Sequence, residues 1–322
     1  MTSAIAPSPA EPERRIPGVT PALRRRLRLA FALLSALSPT LAARLALRMF
    51  LTPRRRAVAA GEAAFLASAS RHALRVATEA GDCYVVQAYE WPATGAAAGG
   101  AAGAPSAAAT VLVMHGWISH AARLAPLIEA LRAQGLRVLA LDAPAHGLSS
   151  GTRVDLHGFL AAVRAVDAAL GPAQGIVAHS FGALTAATWL SREPKPAAVR
   201  AAVLVGLMRD VDWVFGSFTY TLGLRGRTLA RLRGLFRERY GGYPEEFGTH
   251  ELARGIHVPV LLVHGDDDEL VPAAHSSEVG ELLSDGEVLR VPGLQHSAPL
   301  KDADTVARMA AFMADRLQEG LP

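Results

Sequence analysis

The chain has 322 residues, 51% hydrophobic and 19% charged, which is enough to bury a sizeable core and too apolar for a disordered chain. Its net charge of +4 hides an asymmetry: residues 1–56 hold eleven Arg, no Lys and two Glu, while the remainder is mildly acidic. The basic balance therefore belongs to one segment, and no nucleic-acid partner is expected.

Residues 1–20 are rich in Pro, Ser, Ala and Glu and read as a disordered tail. Next comes a basic and apolar stretch. The run Leu29–Leu51 is apolar except for Ser35, Ser38, Thr40, Arg44 and Arg48, and Pro39 interrupts it. Arg24, Arg25, Arg26 and Arg28 precede it; Arg54, Arg55 and Arg56 follow. Two arginines and a central proline are costly in hydrocarbon, which disfavours a transmembrane span. A signal peptide fits the Arg cluster and Leu29–Leu37, although no clear small-residue cleavage site follows. The third reading is two short helices broken at Ser38-Pro39, packed on the body or lying on an anionic membrane surface. It implies a cytoplasmic protein with peripheral contact to the inner face of a membrane through residues 21–56. The signal peptide stays open beside it. The single cysteine, Cys83, permits no intrachain disulfide and implies no oxidising compartment; it reads as a small buried hydrophobe.

Strand signals begin at Leu74. Leu74–Thr78 and Cys83–Tyr89 flank Gly81-Asp82 and predict a hairpin. Residues 93–109 are almost wholly Ala and Gly, a flexible connection. Short apolar runs then alternate with helical patterns. Strands are predicted at Thr110–Met114, Leu136–Leu141, Gly175–Ala178, Ala201–Val205, Val258–Val263 and Glu287–Val291. Helices are predicted over Leu124–Gln134, Leu156–Leu170, Leu184–Leu190 and Thr305–Leu317. This alternation implies an α/β fold with a mostly parallel sheet flanked by helices, whose ligands bind at the carboxyl ends of the strands. The interval Leu207–His257 breaks the pattern and reads as a lid insertion, with a helix over Thr228–Arg239. Within it Trp213, Phe215, Phe218, Tyr220 and Leu222 either line an apolar channel or pack the insertion onto the core. The chain thus divides into a tail (1–20), a basic helical segment (21–70), a first core part (71–206), the insertion (207–257) and a second core part (258–322).

Three segments carry chemistry. Ala178-His179-Ser180-Phe181-Gly182 lies between a strand and a helix, the context of a nucleophile elbow, with Ala in place of the usual first Gly. Small residues suit the strained turn and the close strand–helix approach. A serine hydroxyl needs a base, and the base needs an orienting acid. Strand Val258–Val263 runs into His264–Pro272, where Asp268 is the best-placed carboxylate. Strand Glu287–Val291 runs through Pro292-Gly293-Leu294-Gln295 to His296. The order Ser180, Asp268, His296 is the one this architecture uses.

From Thr110 onward, about two-thirds of its length, the chain resembles the α/β-hydrolase family. His264-Gly265-Asp266-Asp267-Asp268-Glu269-Leu270-Val271-Pro272 is similar to the family's acid motif G-x-x-D-x-x-V-P, an alignment that selects Asp268 over Asp266 and Asp267. Gly293–His296 resembles its histidine loop. Met114-His115-Gly116-Trp117 is similar to its H-G motif. That resemblance implies an oxyanion hole from the backbone amides of Trp117 and Phe181, with His115, Gly116, His179 and Gly182 in support. Asp142-Ala-Pro-Ala-His146-Gly147-Leu-Ser149 resembles the D-x-x-G-H-G-x-S loop of monoacylglycerol-lipase-like esterases, with Ala145 in place of Gly; it implies structural hydrogen bonding by Asp142 and His146.

The resemblance implies a serine hydrolase acting on a small acyl substrate, a carboxylic ester such as an acylglycerol. The same triad suits a thioesterase, an aminopeptidase-like amidase or an acyltransferase, and a catalytically inactive binding protein is the reading of another class. Serine at the elbow argues against a dehalogenase or epoxide hydrolase. His120, His157, His250, His257 and His275 form no metal-binding spacing, and there is no Gly-rich phosphate loop, so no metal or nucleotide cofactor is expected. Oligomeric state is not legible.

Overall fold

The computed structural model describes residues 19–78, 81–94, 108–192 and 198–318. The tail expected over 1–20 lies outside them except for Val19 and Thr20, as does most of the Ala/Gly connection.

The first two elements are helices α1 (Pro21–Leu37) and α2 (Pro39–Phe50). Ser38 separates them in an extended conformation (φ −156°, ψ 102°), and its hydroxyl accepts from the Leu41 amide. The break follows from Pro39: it offers no N–H to continue α1, biases Ser38 away from helical angles, and suits the first turn of α2. Helix α3 (Ala60–Ala67) follows, then the antiparallel strands β1 (Ser70–Ala77) and β2 (Cys83–Trp91), paired from Ser70–Glu90 to Ala77–Cys83. Cys83 is exposed, not buried. Period-two alternation turns Cys83 and Val85 outward and Val86 and Ala88 into the core.

Six further strands follow: β3 (Thr110–Met114), β4 (Arg137–Asp142), β5 (Gly175–His179), β6 (Ala201–Val205), β7 (Val260–Gly265) and β8 (Gly286–Val291). The sheet order is β1-β2-β4-β3-β5-β6-β7-β8, and all neighbours from β4 to β8 are parallel. Helices α4 (Ala125–Ala133), α5 (Leu156–Leu170), α6 (Phe181–Arg192), α10 (Ala274–Gly280) and α11 (Ala303–Gln318) lie along the connections and at the end of the chain. Alternate residues of each central strand face opposite layers. Leu112, Ile176 and Leu204 join a core with α5 and α6, while Val111, Val177 and Val203 join one with α4 and α11. The parallel register brings Met114 beside Ala178 and His179 beside Val205, so strands β3, β5 and β6 end along one edge.

Between β6 and β7 lie α7 (Val211–Leu222), α8 (Gly226–Tyr240) and α9 (Thr249–Ala253). Helices α1 and α2 pack on α7 and α8. The small face of α2, Ala42, Ala43 and Ala46, is wholly buried. Phe50 meets the rings of Phe215 and Phe218 at 5.5 and 5.2 Å. Arg28 donates to the Tyr220 carbonyl at 2.9 Å and stacks over its ring. Trp213, Phe215 and Leu222 are buried, and Tyr220 is exposed beside Arg28. Trp213, Phe215 and Leu222 therefore pack the insertion against the body, Phe218 packs on Phe50, and Tyr220 stacks with Arg28.

Arg55, just after α2, reaches the loop that follows β4. Its guanidinium donates to the carbonyls of Gly147 (2.6 Å), Ser149 (2.7 Å) and Gly151 (2.9 Å). Hydrogen bonds from a charged donor are worth more than neutral ones, but this group is partly solvated. Arg55→Ala should lower unfolding stability by about 2 kcal/mol, read from the urea midpoint.

Candidate active site

Strand β5 ends at His179 and α6 begins at Phe181, leaving Ser180 alone in the turn. Its φ is +55°, a left-handed backbone rare for a residue with a side chain. The Ser180 amide donates to the Val205 carbonyl at 2.8 Å, and the Leu184 amide donates to the Ser180 carbonyl at 3.1 Å. The geometry requires bare neighbours. A Cβ on Gly182 would lie 2.5 Å from the His115 carbonyl oxygen, and one on Gly116 would lie 2.9 Å from the Ser180 Cβ. The Gly116–Trp117 peptide therefore passes directly beside the serine. Phe181 opens α6, where helix amides have no intrahelical acceptor. Neither the Trp117 nor the Phe181 amide has a backbone acceptor among the described residues.

Ser180, His296 and Asp268 come together at this edge of the sheet, 116 and 28 residues apart along the chain. The Ser180 hydroxyl donates to His296 Nε2 at 2.9 Å. His296 Nδ1–H donates to Asp268 Oδ2 at 2.6 Å. The other oxygen, Oδ1, accepts from the amides of Leu270 (2.8 Å) and Val271 (3.0 Å), the turn that follows β7. The loop bearing His296 is tied to that turn: Asp266 and Asp267 amides donate to the carbonyls of Val291 (2.9 Å) and Leu294 (3.1 Å). Burial alone would raise the Asp268 pKa, but the hydrogen bonds from His264 and His296 outweigh it and hold the carboxylate well below its usual range.

Four residues behind the site were not singled out from the sequence for these contacts. His264 is fully buried; its Nδ1 accepts from the Ser276 hydroxyl at 2.7 Å, and its Nε2–H points at Asp268 Oδ2 (3.0 Å) and the Val271 carbonyl (2.9 Å). Its position at the end of an apolar strand signalled burial but not this partner. Gly206 (φ +60°) leaves room for the imidazole, since a Cβ there would lie 3.0 Å from His296 Cε1. Trp213 Nε1–H donates to the Leu270 carbonyl at 2.7 Å, tying α7 to the acid turn. Phe159 packs its ring against Phe181 (5.0 Å) and Trp117 (6.3 Å), forming an aromatic wall with the two residues whose amides border Ser180.

The loop after β4 is a hydrogen-bonded support. The buried Asp142 accepts from the Tyr89 hydroxyl (2.9 Å) and the amides of Ala121 and Leu148 (both 2.8 Å). His146 Nε2 accepts from the Ile118 amide at 3.2 Å, and His115 Nε2 accepts from the Ala143 amide at 3.0 Å. Ala145 has φ +63°, so the residue in place of the family's Gly keeps the left-handed backbone at the cost of a Cβ. Burial, then the neighbouring His115, pushes the His146 pKa down to about 3. Burial, then His296, pushes His179 down to about 3. His179 Nε2–H donates to the His296 carbonyl at 3.1 Å, so its role here is to brace the histidine loop. No cluster of three or more His, Cys, Asp or Glu suited to a metal occurs among the described residues. A cavity of about 530 Å³ opens beside Asp267, Glu269 and Gln295, on the acid side of the site. Ser180 does not line it.

Two outcomes follow from these contacts. Removing the His264 donor in His264→Phe should lower kcat/KM about tenfold with KM little changed, the loss of one hydrogen bond to a charged group. His264→Gln should recover part of it. For His146 and His179, the unfolded chain takes up protons below pH ~6.5 that the folded chain refuses until about pH 3. The depressed Asp268 acts in the same sense at lower pH. Urea midpoints should therefore fall as pH drops from ~6.5 towards 3, and fall less steeply in His146→Gln.

A model of the family described as serine aminopeptidase, S33, matches residues 105–238. A non-heme haloperoxidase of Rhodococcus erythropolis is 28% identical over 244 residues, 61% of this chain and 88% of that protein. The bifunctional esterase/perhydrolase DCH of Acinetobacter calcoaceticus is 37% identical over 65 residues, 20% of this chain and 24% of that protein. The esterase Pf2001 of Pyrococcus furiosus superposes with a TM-score of 0.58 at 19% identity, covering 84% of this chain and 97% of that one. With its eight-stranded, mostly parallel sheet flanked by helices, the chain has the α/β-hydrolase fold.

Proposed function

We propose that the protein cleaves a carboxylic ester through an acyl-enzyme on Ser180. One observation carries the reading: an unbroken hydrogen-bond chain from the Ser180 hydroxyl through His296 to Asp268, at 2.9 and 2.6 Å, on a serine held in a left-handed turn. His296 Nε2 takes the serine proton as Oγ attacks the acyl carbonyl carbon. Asp268 holds the imidazole orientation and stabilises its cation. The developing oxyanion falls beside the Trp117 and Phe181 amides, an oxyanion hole in which each donor contributes about 3 kcal/mol to the transition state. His296 then gives its proton to the leaving alcohol. In the second half, water loses a proton to His296, attacks the acyl-enzyme, and releases the acid and free Ser180.

The aromatic wall of Trp117, Phe159 and Phe181 suits an apolar acyl group. The esterase/perhydrolase among the similar proteins supports ester chemistry. The serine-aminopeptidase family model favours a second reading, amide cleavage by the same steps with an amine leaving group.

Ser180→Ala should lower kcat/KM for p-nitrophenyl esters by about four orders of magnitude or more. It should also abolish labelling by a fluorophosphonate. Wild-type turnover in the folded variant would remove Ser180 from the mechanism. Comparing p-nitrophenyl esters with aminoacyl p-nitroanilides separates the ester reading from the amide reading.

A further inference from the structure

The described part of the N-terminal segment, residues 21–56, contains nine Arg and no Asp, Glu or Lys, and its apolar residues divide between two faces. Ala42, Ala43, Ala46 and Phe31 are buried against the body. Leu27, Leu34 and Leu47 pack on the same side, while five other leucines point the other way. Leu29, Leu33 and Leu37, spaced i, i+4, i+8 on α1, are 63%, 61% and 85% exposed. Beyond the corner, Leu41 and Leu45 continue the exposed run on α2. Leu27, Leu34 and Leu47 pack inward, so the inner face has its own apolar side chains and the five outer leucines are surplus to that packing. A group of large apolar side chains in water is the mark of a surface that meets something apolar.

The charges name the occupant. Arg25 and Arg26 stand exposed in the first turns of α1, ahead of the leucines, and Arg44 and Arg48 are exposed on α2 beside Leu41 and Leu45. Apolar side chains edged by exposed cations match an acyl layer below and anionic headgroups around it. No helix among the described residues is long and apolar enough to cross a membrane. We infer that α1 and α2 form a docking face on which the protein lies on an anionic lipid surface, with Leu29, Leu33, Leu37, Leu41 and Leu45 inserted among the acyl chains and the flanking arginines against the headgroups. The inference stands apart from the catalytic reading, because none of these residues touches Ser180, His296 or Asp268. It gives the insertion a place as well: α7 and α8 lie directly behind the docking helices.

The test uses the full chain and vesicles of phosphatidylcholine with or without phosphatidylglycerol. Wild type should co-sediment with the anionic vesicles, and binding should weaken as salt rises. Leu33→Gln with Leu37→Gln, both at exposed positions, should weaken binding by at least about tenfold and leave the thermal melt unchanged. Arg44→Gln with Arg48→Gln should reduce the preference for anionic vesicles, and adding Arg25→Gln with Arg26→Gln should remove it. Three outcomes would overturn the inference. Wild type could stay off anionic vesicles, the leucine variant could bind as wild type does, or the leucine variant could dissociate a dimer while neither protein binds vesicles. The last result would assign the face to a second copy of the chain.

Discussion

The left-handed backbone of Ser180 is the constraint on which the surrounding structure depends. A non-glycine residue at φ +55° persists only where its neighbours over-determine it. Here a hydrogen bond to Val205 from one side and the first turn of α6 from the other hold it in place. The reward is position: the hydroxyl stands at the edge where β3, β5 and β6 end. The cost is space, since the helix and the β3 turn must come close enough to exclude a Cβ at both Gly116 and Gly182. Ala178 is tolerated where the family pattern has Gly because that position lies within β5, paired with Met114 and Leu204, before the chain turns.

Nearly every other feature of the site serves to bring two further side chains to that serine at fixed distance. Asp268 is deeply buried, yet four donors surround its two oxygens: two amides of its own turn and two imidazoles. A buried carboxylate with so many donors stays ionised, and an ionised acceptor makes the bond to His296 strong. The histidine loop is held by amides of the acid turn and by His179. Acid turn and histidine loop are therefore fastened to each other. Burial keeps His179 and His146 neutral, so neither adds a positive charge beside Ser180 and His296 near neutral pH.

What was legible in the sequence follows from what is local. The six core strands and the long helices α5 and α11 announce themselves through apolar runs and helical period, and their ends agree with the structure to within about two residues. Ser180, Asp268 and His296 were legible because each follows its own strand, and parallel strands deliver such residues to a common edge. Side-chain direction was not. Nothing in Trp213 or Phe215 distinguishes a residue that lines a channel from one that hooks α7 to the acid turn or fills the gap beside Phe50; the difference lies in a partner 57 or 165 residues away. Cys83 failed for a simpler reason: the pleat of a two-stranded edge assigns faces by parity, and one residue of phase puts a side chain in water.

The N-terminal helices show the same limit from the other direction. Composition displays leucine, alanine and arginine in one segment, and three incompatible destinations share that composition. Only the packed structure separates the residues by face. Alanines allow α2 to approach α8 closely, and that approach turns Leu41 and Leu45 to solvent. On α1, Phe31 occupies the buried side and leaves Leu29, Leu33 and Leu37 on the outer one. Arg28, on the inner side, is held by the carbonyl and ring of Tyr220, so one arginine of the cluster fastens the helices to the insertion while Arg25 and Arg26 remain exposed. Fastening and exposure are therefore complementary consequences of one packing arrangement: the side of α1 and α2 that carries Phe31, Leu34, Ala42, Ala46 and Leu47 seats against the body, and the opposite side, with Leu29, Leu33, Leu37, Leu41 and Leu45, faces away from it.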